Sequence, residues 1–234
     1  MSTKYRKILQ ELENDILAGK YNQIKKLPKE EDLINHYQVS RTTIRKAISI
    51  LVSKGYVYQI QGSGIFLRES ALKGYLSLES LKGLTRDYPN KKIESNVIEL
   101  KLVQADEQKA AVMKCDVNSP LYFLKRVRLV DGNPLTVEYT YFNKKVIPYM
   151  SEEIAKKSIY SYIIDDLGYN IGFADKVIYA DKLDEEIAQY FCLQQGDPTL
   201  IIESTEFLST GEVFAISTSV HNYKSTKLLK LSNF

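Results

Sequence analysis

Ser40-Arg41-Thr42-Thr43-Ile44-Arg45-Lys46-Ala47-Ile48-Ser49-Ile50-Leu51 decides how the first part of the chain folds. Ile44, Ala47, Ile48 and Leu51 recur at steps of three, one and three, the stripe of a helix that packs by one side. Ser40 is a good N-cap. Arg41, Thr42, Thr43, Arg45 and Lys46 gather near the N-terminal end, largely off the stripe. Gly55 ends the helix.

Two helices are expected upstream. Tyr5, Ile8, Leu9, Leu12, Ile16 and Leu17 share one face, and Gly19 is a natural stop. Leu27-Pro28 opens a second short helix, with Pro28 in its first turn and Glu30, Glu31 and Asp32 near its positive end. Downstream, Tyr56–Ile60 and Ile65–Leu67 read as two strands joined at Gln61-Gly62-Ser63-Gly64. Three short helices and a two-stranded wing make a winged helix-turn-helix. Such a head enters the major groove by the recognition helix N-terminus, with Arg for base edges and hydroxyls and helix amides for phosphates. Taken alone, the Arg/Thr cluster also fits a solvated helix face.

Composition supports a folded protein: 234 residues, 44% hydrophobic, 26% charged and 11% aromatic, close to globular averages. Two cysteines, Cys115 and Cys192, are too few for a disulfide framework or a zinc cluster, and are expected as buried or half-buried thiols. The N-terminus lacks the apolar core of a signal peptide, and no run approaches membrane-helix length, so a cytoplasmic protein without membrane partners is expected. The net charge of +3 hides an asymmetry: residues 1–70 hold 12 Lys/Arg against 7 Asp/Glu, and the remainder 20 against 22. A basic head points to an anionic partner.

Residues 71–80 read as a linker, with a possible strand at Gly74–Leu78, between a DNA-binding domain over 1–70 and a second domain over 81–234. There the expected strands are Ser95–Leu102, Leu121–Val130, Leu135–Asn143, Asp175–Ala180, Thr199–Leu208 and Val213–His221. Helices are expected at Asp106–Met113, Ser151–Lys156, Ser158–Asp166 and Glu185–Phe191. Asp131–Pro134 and Ser209–Glu212 read as hairpin turns. The fold class is α+β with a mainly antiparallel sheet. At strand spacing Arg126 and Arg128 share a face, as an anion clamp would require. Glu138 follows on the partner strand. Spacing alone favours a plainer arrangement, a cross-strand Arg–Glu salt bridge on a solvated face. His36 and His221 read as packing or surface residues.

The residues from Leu27-Pro28 through Tyr37–Ile48 to Gly62–Leu67 resemble the DNA-binding domain of GntR-family bacterial transcription regulators. That resemblance implies operator contacts from Ser40, Arg41, Thr42, Thr43 and Arg45, and a wing around Gln61 and Gly62 in the minor groove. Glu31 departs from the family pattern, where an arginine that contacts DNA is common, and implies a different operator preference. Lys125–Tyr139 with Ser158-Ile159-Tyr160 is similar to the effector domain of the HutC subfamily, termed UTRA, which has a chorismate-lyase-like fold. It implies a small anionic effector, commonly a sugar phosphate, with Arg126 and Arg128 on the anion, Glu138 on ligand hydroxyls, and Thr85, Ser158 and Tyr223 as further partners. The 73–78 junction and the Lys125–Arg128 run look most like regulators of glucomannan and β-glucoside utilisation. The function implied is a ligand-responsive repressor, a homodimer on palindromic double-stranded DNA, without metal, cofactor or catalytic residues. A lyase-like enzyme and a constitutive DNA-binding dimer are the alternatives.

Overall fold

The computed structural model describes residues 3–68, 75–78, 83–88 and 91–230. The chain divides into two compact units, Met1–Glu79 with Leu228–Phe234, and Ser80–Lys227.

In the first unit, helix α1 (Thr3–Leu17) buries Ile8, Leu12 and Ile16 against α3 (Arg41–Ser53), which contributes Ile44, Ala47, Ile48 and Leu51. The stripe read from the sequence is the face that packs. Helix α2 (Glu30–Tyr37) begins later than expected. Lys29 is its extended cap residue, and its backbone N–H donates to the Asp32 carboxylate at 3.2 Å, so Pro28 lies outside the helix. Strands β1 (Val57–Ile60) and β2 (Gly64–Leu67) form the wing. Residues 25–27 add a third line to it that the sequence did not signal: Leu67 N–H donates to Lys25 C=O at 3.0 Å and Leu27 N–H to Ile65 C=O at 2.9 Å. The wing tip needs Gly62 (φ +75°) and Gly64 (φ +125°), which β-carbon-bearing residues adopt only under strain.

Within the 71–80 junction, β3 (Leu76–Ser77) pairs in parallel with β10 (Leu228–Leu229). The chain end from Leu228 therefore joins the first compact unit rather than closing the second, because its backbone groups find their ladder there. Positions 71–74, 79 and 80 lie outside the described residues.

The second unit is α+β. Its six strands are β4 (Ile93–Gln104), β5 (Pro120–Val130), β6 (Asn133–Asn143), β7 (Ile171–Lys182), β8 (Pro198–Leu208) and β9 (Val213–Asn222). They form one antiparallel sheet in the order β4-β5-β6-β9-β8-β7. All six were expected; most run a few residues longer, because ladder pairing continues past the apolar runs. One face packs under α6 (Glu152–Lys156) and α7 (Ile159–Ser161), with Leu124, Phe142, Ala155, Ile159, Ile163 and Phe214 in its core. The expected helix over 158–166 is broken: α7 is one turn, and Tyr162–Asp166 winds as a π-helical turn. The other face packs Val127, Val137 and Val220 against α8 (Glu185–Phe191). Helix α5 (Glu107–Met113) closes a third cluster with Leu121 and Val213. Cys115 is half-buried and Cys192, at the left-handed end of α8, is exposed, contrary to its expected burial. Among the described residues no helix is long and apolar enough to cross a membrane.

Candidate DNA-reading head and buried anion clamp

The start of α3 is an exposed polar surface. The Ser40 hydroxyl accepts from Thr43 N–H at 3.4 Å and lies 2.8 Å and 2.9 Å from the Thr42 and Thr43 hydroxyls. Arg41, Thr42 and Arg45 are exposed and Thr43 is half-buried. Both arginines meet the acidic first turn of α2: Arg45 Nε donates to Glu30 Oε2 at 3.0 Å, and Arg41 Nη2 lies 3.6 Å from Glu31 Oε1. Such exposed pairs contribute little stability, about 0–1 kcal/mol, so they yield readily to a polyanion. Gln61 and Gly62 stand exposed at the wing tip. Lys26 Nζ donates to Ser63 C=O at 2.5 Å and lies 5.0 Å from the Phe66 ring, bracing the tip.

In the second unit, pleat and register place Arg126 opposite Glu138 and Arg128 opposite Thr136, with Ser219 and His221 next in those two rows. The cross-strand ion pair expected from spacing is present: Arg126 Nε donates to Glu138 Oε2 at 2.7 Å. The face is not solvated, since the Arg126 and Arg128 side chains are 8% and 6% exposed beneath α6 and α7. Arg126 Nη1 also donates to Ala155 C=O at 2.8 Å and Lys157 C=O at 3.4 Å. Arg128 is less well provided. Its Nη1 lies 3.7 Å from the carboxylate oxygen that Arg126 already engages, and its Nε has no hydrogen-bond partner among the described residues. Burial, reinforced by the Arg126 charge, lowers its pKa to about 10. Burial alone would raise the Glu138 carboxyl; the two guanidiniums outweigh it and hold Glu138 below the usual carboxylate range.

Sequence reasoning set His221 aside, yet the structure buries it here, with neither ring nitrogen hydrogen-bonded among the described residues. Burial pushes its pKa down to about 4, against the pull of Glu138. Four more residues were missed: Tyr160, Glu206, Ser217 and Lys176. Tyr160 on α7 donates its hydroxyl to Glu206 on β8 and also senses Arg126 and Glu138. Burial raises Glu206 to about 7, against the Tyr160 and Lys176 partners. Ser217 Oγ lies 3.5 Å from Glu206 Oε1. A carboxylate inside the apolar run Leu200–Leu208 was the available signal. That β8 and β7 bring it and Lys176 to this face follows only from strand order.

Of the other expected site residues, Ser158 is half-buried and caps α7, accepting from Ser161 N–H at 3.2 Å; it follows Lys157, whose carbonyl meets Arg126. Thr85 falls in the short helix α4 (Leu84–Asp87), its side chain outside the described residues, and Gly83 beside it packs on the Tyr160 ring. Tyr223 is 38% exposed just past β9, with Lys224 Nζ 5.8 Å from its ring. No group of His, Cys, Asp and Glu among the described residues could hold a metal ion.

Two family models match: residues 4–67 fit "Bacterial regulatory proteins, gntR family", and residues 89–227 fit the UTRA domain. The chain belongs to the gntR family of bacterial regulators, with a UTRA effector domain. The regulator is 36% identical over 230 residues to the HTH-type transcriptional regulator YydK of Bacillus subtilis (strain 168), covering 98% of each. A crystal structure of YydK superposes with a TM-score of 0.83 at 34% identity, covering 99% of this chain and 100% of that one. Two further B. subtilis relatives are the regulator GmuR, 32% identical over 94% of each chain, and the repressor NagR, 27% identical over 93% of this chain and 89% of that protein. These relatives and domains are transcription regulators, not enzymes.

Proposed function

We propose that the regulator is a cytoplasmic repressor that binds a palindromic operator as a homodimer and responds to a small anion, a sugar phosphate, held by Arg126 and Arg128. Ser40, Arg41, Thr42, Thr43 and Arg45 meet the major groove, and the wing at Gln61 and Gly62 meets the minor groove. Glu138 receives ligand hydroxyls, with Ser158, Thr85 and Tyr223 as further partners. The observation that carries this reading is Arg128, a residue 5% exposed whose Nε has no hydrogen-bond partner among the described residues and whose Nη1 lies 3.7 Å from the Glu138 carboxylate it shares with Arg126.

A buried charge left under-paired costs stability. A site that keeps one is matched to a charge that arrives from outside. Replacing Arg128 by Met removes the under-paired charge and keeps most of the volume. The expected outcome is a free protein of equal or higher Tm that no longer gains Tm from inorganic phosphate or glucose 6-phosphate. Its affinity for duplex DNA stays at the wild-type value but ceases to respond to these anions. A variant that still responds would refute the clamp. A wild-type protein with no anion response at all would favour a constitutive DNA-binding dimer.

A further inference from the structure

We propose that Glu31 is a specificity-determining residue of the head: its carboxylate lowers the attraction of Arg41 for bare phosphates and accepts from the cytosine amino group of the G·C pair whose guanine Arg41 reads. The proposal rests on the reading of Arg41 as a major-groove contact.

The first turn of α2 carries three carboxylates beside the start of α3. Two are engaged within the protein. Asp32 accepts from the Lys29 backbone N–H at 3.2 Å, and Glu30, its side chain 25% exposed, accepts from Arg45 Nε at 3.0 Å. Glu31 differs. Its side chain is 77% exposed, and Arg41, 57% exposed, brings Nη2 only to 3.6 Å from Oε1. That is an ion-pair distance, longer than a hydrogen bond, so donor and acceptor both stay open to a third party. A purely structural role for Glu31 is to complement the positive end of the α2 dipole, as its two neighbours already do.

The arrangement matches one base-pair edge. In the major groove a G·C pair shows the guanine N7 and O6 acceptors and, next to them, the cytosine N4 donor. O6 and N4 are hydrogen-bonded to each other, about 2.9 Å apart, and Arg41 and Glu31 set a donor beside an acceptor at a similar spacing. Arg41 spans N7 and O6 while Glu31 accepts from N4. An A·T pair in that place sets the adenine amino donor before the guanidinium and the thymine O4 acceptor before the carboxylate, like against like. A phosphate attracts Arg41 and repels Glu31. The neighbouring charges leave that balance in force: Glu30, Glu31 and Asp32 stand against Lys29, Arg41, Arg45 and Lys46, with Lys4 lining the groove by Ser40 and Thr43. This cationic excess draws the head to any duplex, and Glu31 lowers it where Arg41 meets the groove. Selectivity then comes from weakening the wrong contact as well as making the right one.

The test uses the full chain and fluorescence anisotropy at fixed salt. Wild type and Arg41→Ala each select palindromes from random duplexes, and the guanine that only wild type requires marks the pair. Glu31→Ala is expected to bind a scrambled duplex about tenfold more tightly than wild type, and the wild-type palindrome within about threefold of wild type, so its preference for the palindrome falls. Replacing the marked cytosine by 2-pyrimidinone, which lacks the amino group, is expected to weaken wild type about fivefold or more and Glu31→Ala no more than about twofold. Equal gains of Glu31→Ala on the palindrome and the scrambled duplex, or equal losses of the two proteins on the 2-pyrimidinone duplex, overturn the proposal. A lower Tm for Glu31→Ala with every affinity ratio unchanged leaves only the dipole role and overturns it as well. If Arg41→Ala selects the same palindrome as wild type, the reading of Arg41 as a base contact fails, and the proposal falls with it.

Discussion

Glu206 and His221 are buried groups whose protons respond to folding in opposite directions. Glu206 is raised from 4.5 to about 7, chiefly by burial and further by Glu138, while Tyr160, Lys176 and Ser217 oppose. The folded protein therefore holds a proton that the unfolded chain releases near pH 4.5. Its contribution is fully present below about 4.5 and is lost as pH rises through about 7. His221 falls from 6.5 to about 4 by burial. The unfolded chain binds a proton that the folded protein refuses, so this contribution is present above about 6.5 and lost as pH falls toward 4. Each amounts to roughly 3 kcal/mol at full extent, and between about pH 4.5 and 6.5 they offset one another. Relative to wild type, Glu206→Gln is expected to gain stability steadily as pH rises across that window, and His221→Gln to lose it. Urea midpoints measured from pH 4.5 to 7.5 read this directly. Difference profiles that stay level with pH would mean that these groups titrate normally.

At the scale of elements, the clamp depends on one hairpin. Asp131 (φ +49°) and Gly132 (φ +77°) are both left-handed, the two-residue turn whose twist matches antiparallel strands. That turn pairs Val130 with Asn133, and a one-residue bulge between Arg128 and Leu129 then shifts the register to put Arg126 opposite Glu138. A β-carbon at Gly132 meets nothing within 4 Å, so Gly132→Ala tests backbone conformation without a clash. The expected cost is about 1–2 kcal/mol, read as a lower urea midpoint, with Gly132→Asn closer to wild type; an unchanged midpoint for Ala would show that the turn tolerates another conformation. The Asp-Gly pair was legible in the sequence, as were the α3 stripe, the wing glycines and all six long strands, because each is written in local spacing. The third wing line and the late start of α2 were not, because Lys25–Leu27 carries no strand pattern and Asp32 reaches back to a cap residue that is a lysine. The break at Tyr162 leaves no mark in the apolar spacing of 159–163.

At the scale of the whole molecule, the same limit decides what could be read of the site. Arg126, Arg128 and Glu138 sit on adjacent strands joined by a tight turn, so their nearness was legible, while the bulge that aligns Arg126 with Glu138 left no mark in the spacing. Their burial and the arrival of Lys176, Glu206 and His221 depend on the order β6-β9-β8-β7 and on the helices that cover one face, neither of which periodicity records. Of the basic charge of residues 1–70, α3 exposes Arg41 and Arg45, each held by an acidic residue of α2, and Lys46, which lies over the Tyr5 ring. A single such head touches few base pairs, and the proposed homodimer doubles them. The doubling has a thermodynamic signature. Removing Arg41 from a head that reads a base costs roughly 1–3 kcal/mol. On a palindrome selected from random duplexes by the protein itself, a homodimer loses that contact twice, and contributions from distant sites add. On the same duplex with one half-site scrambled, it is lost once from the specific contacts. The binding penalty of Arg41→Ala is therefore expected to be about twice as large, in free energy, on the intact palindrome, as measured by fluorescence anisotropy at fixed salt. Equal penalties on the two duplexes would mean that one head binds alone.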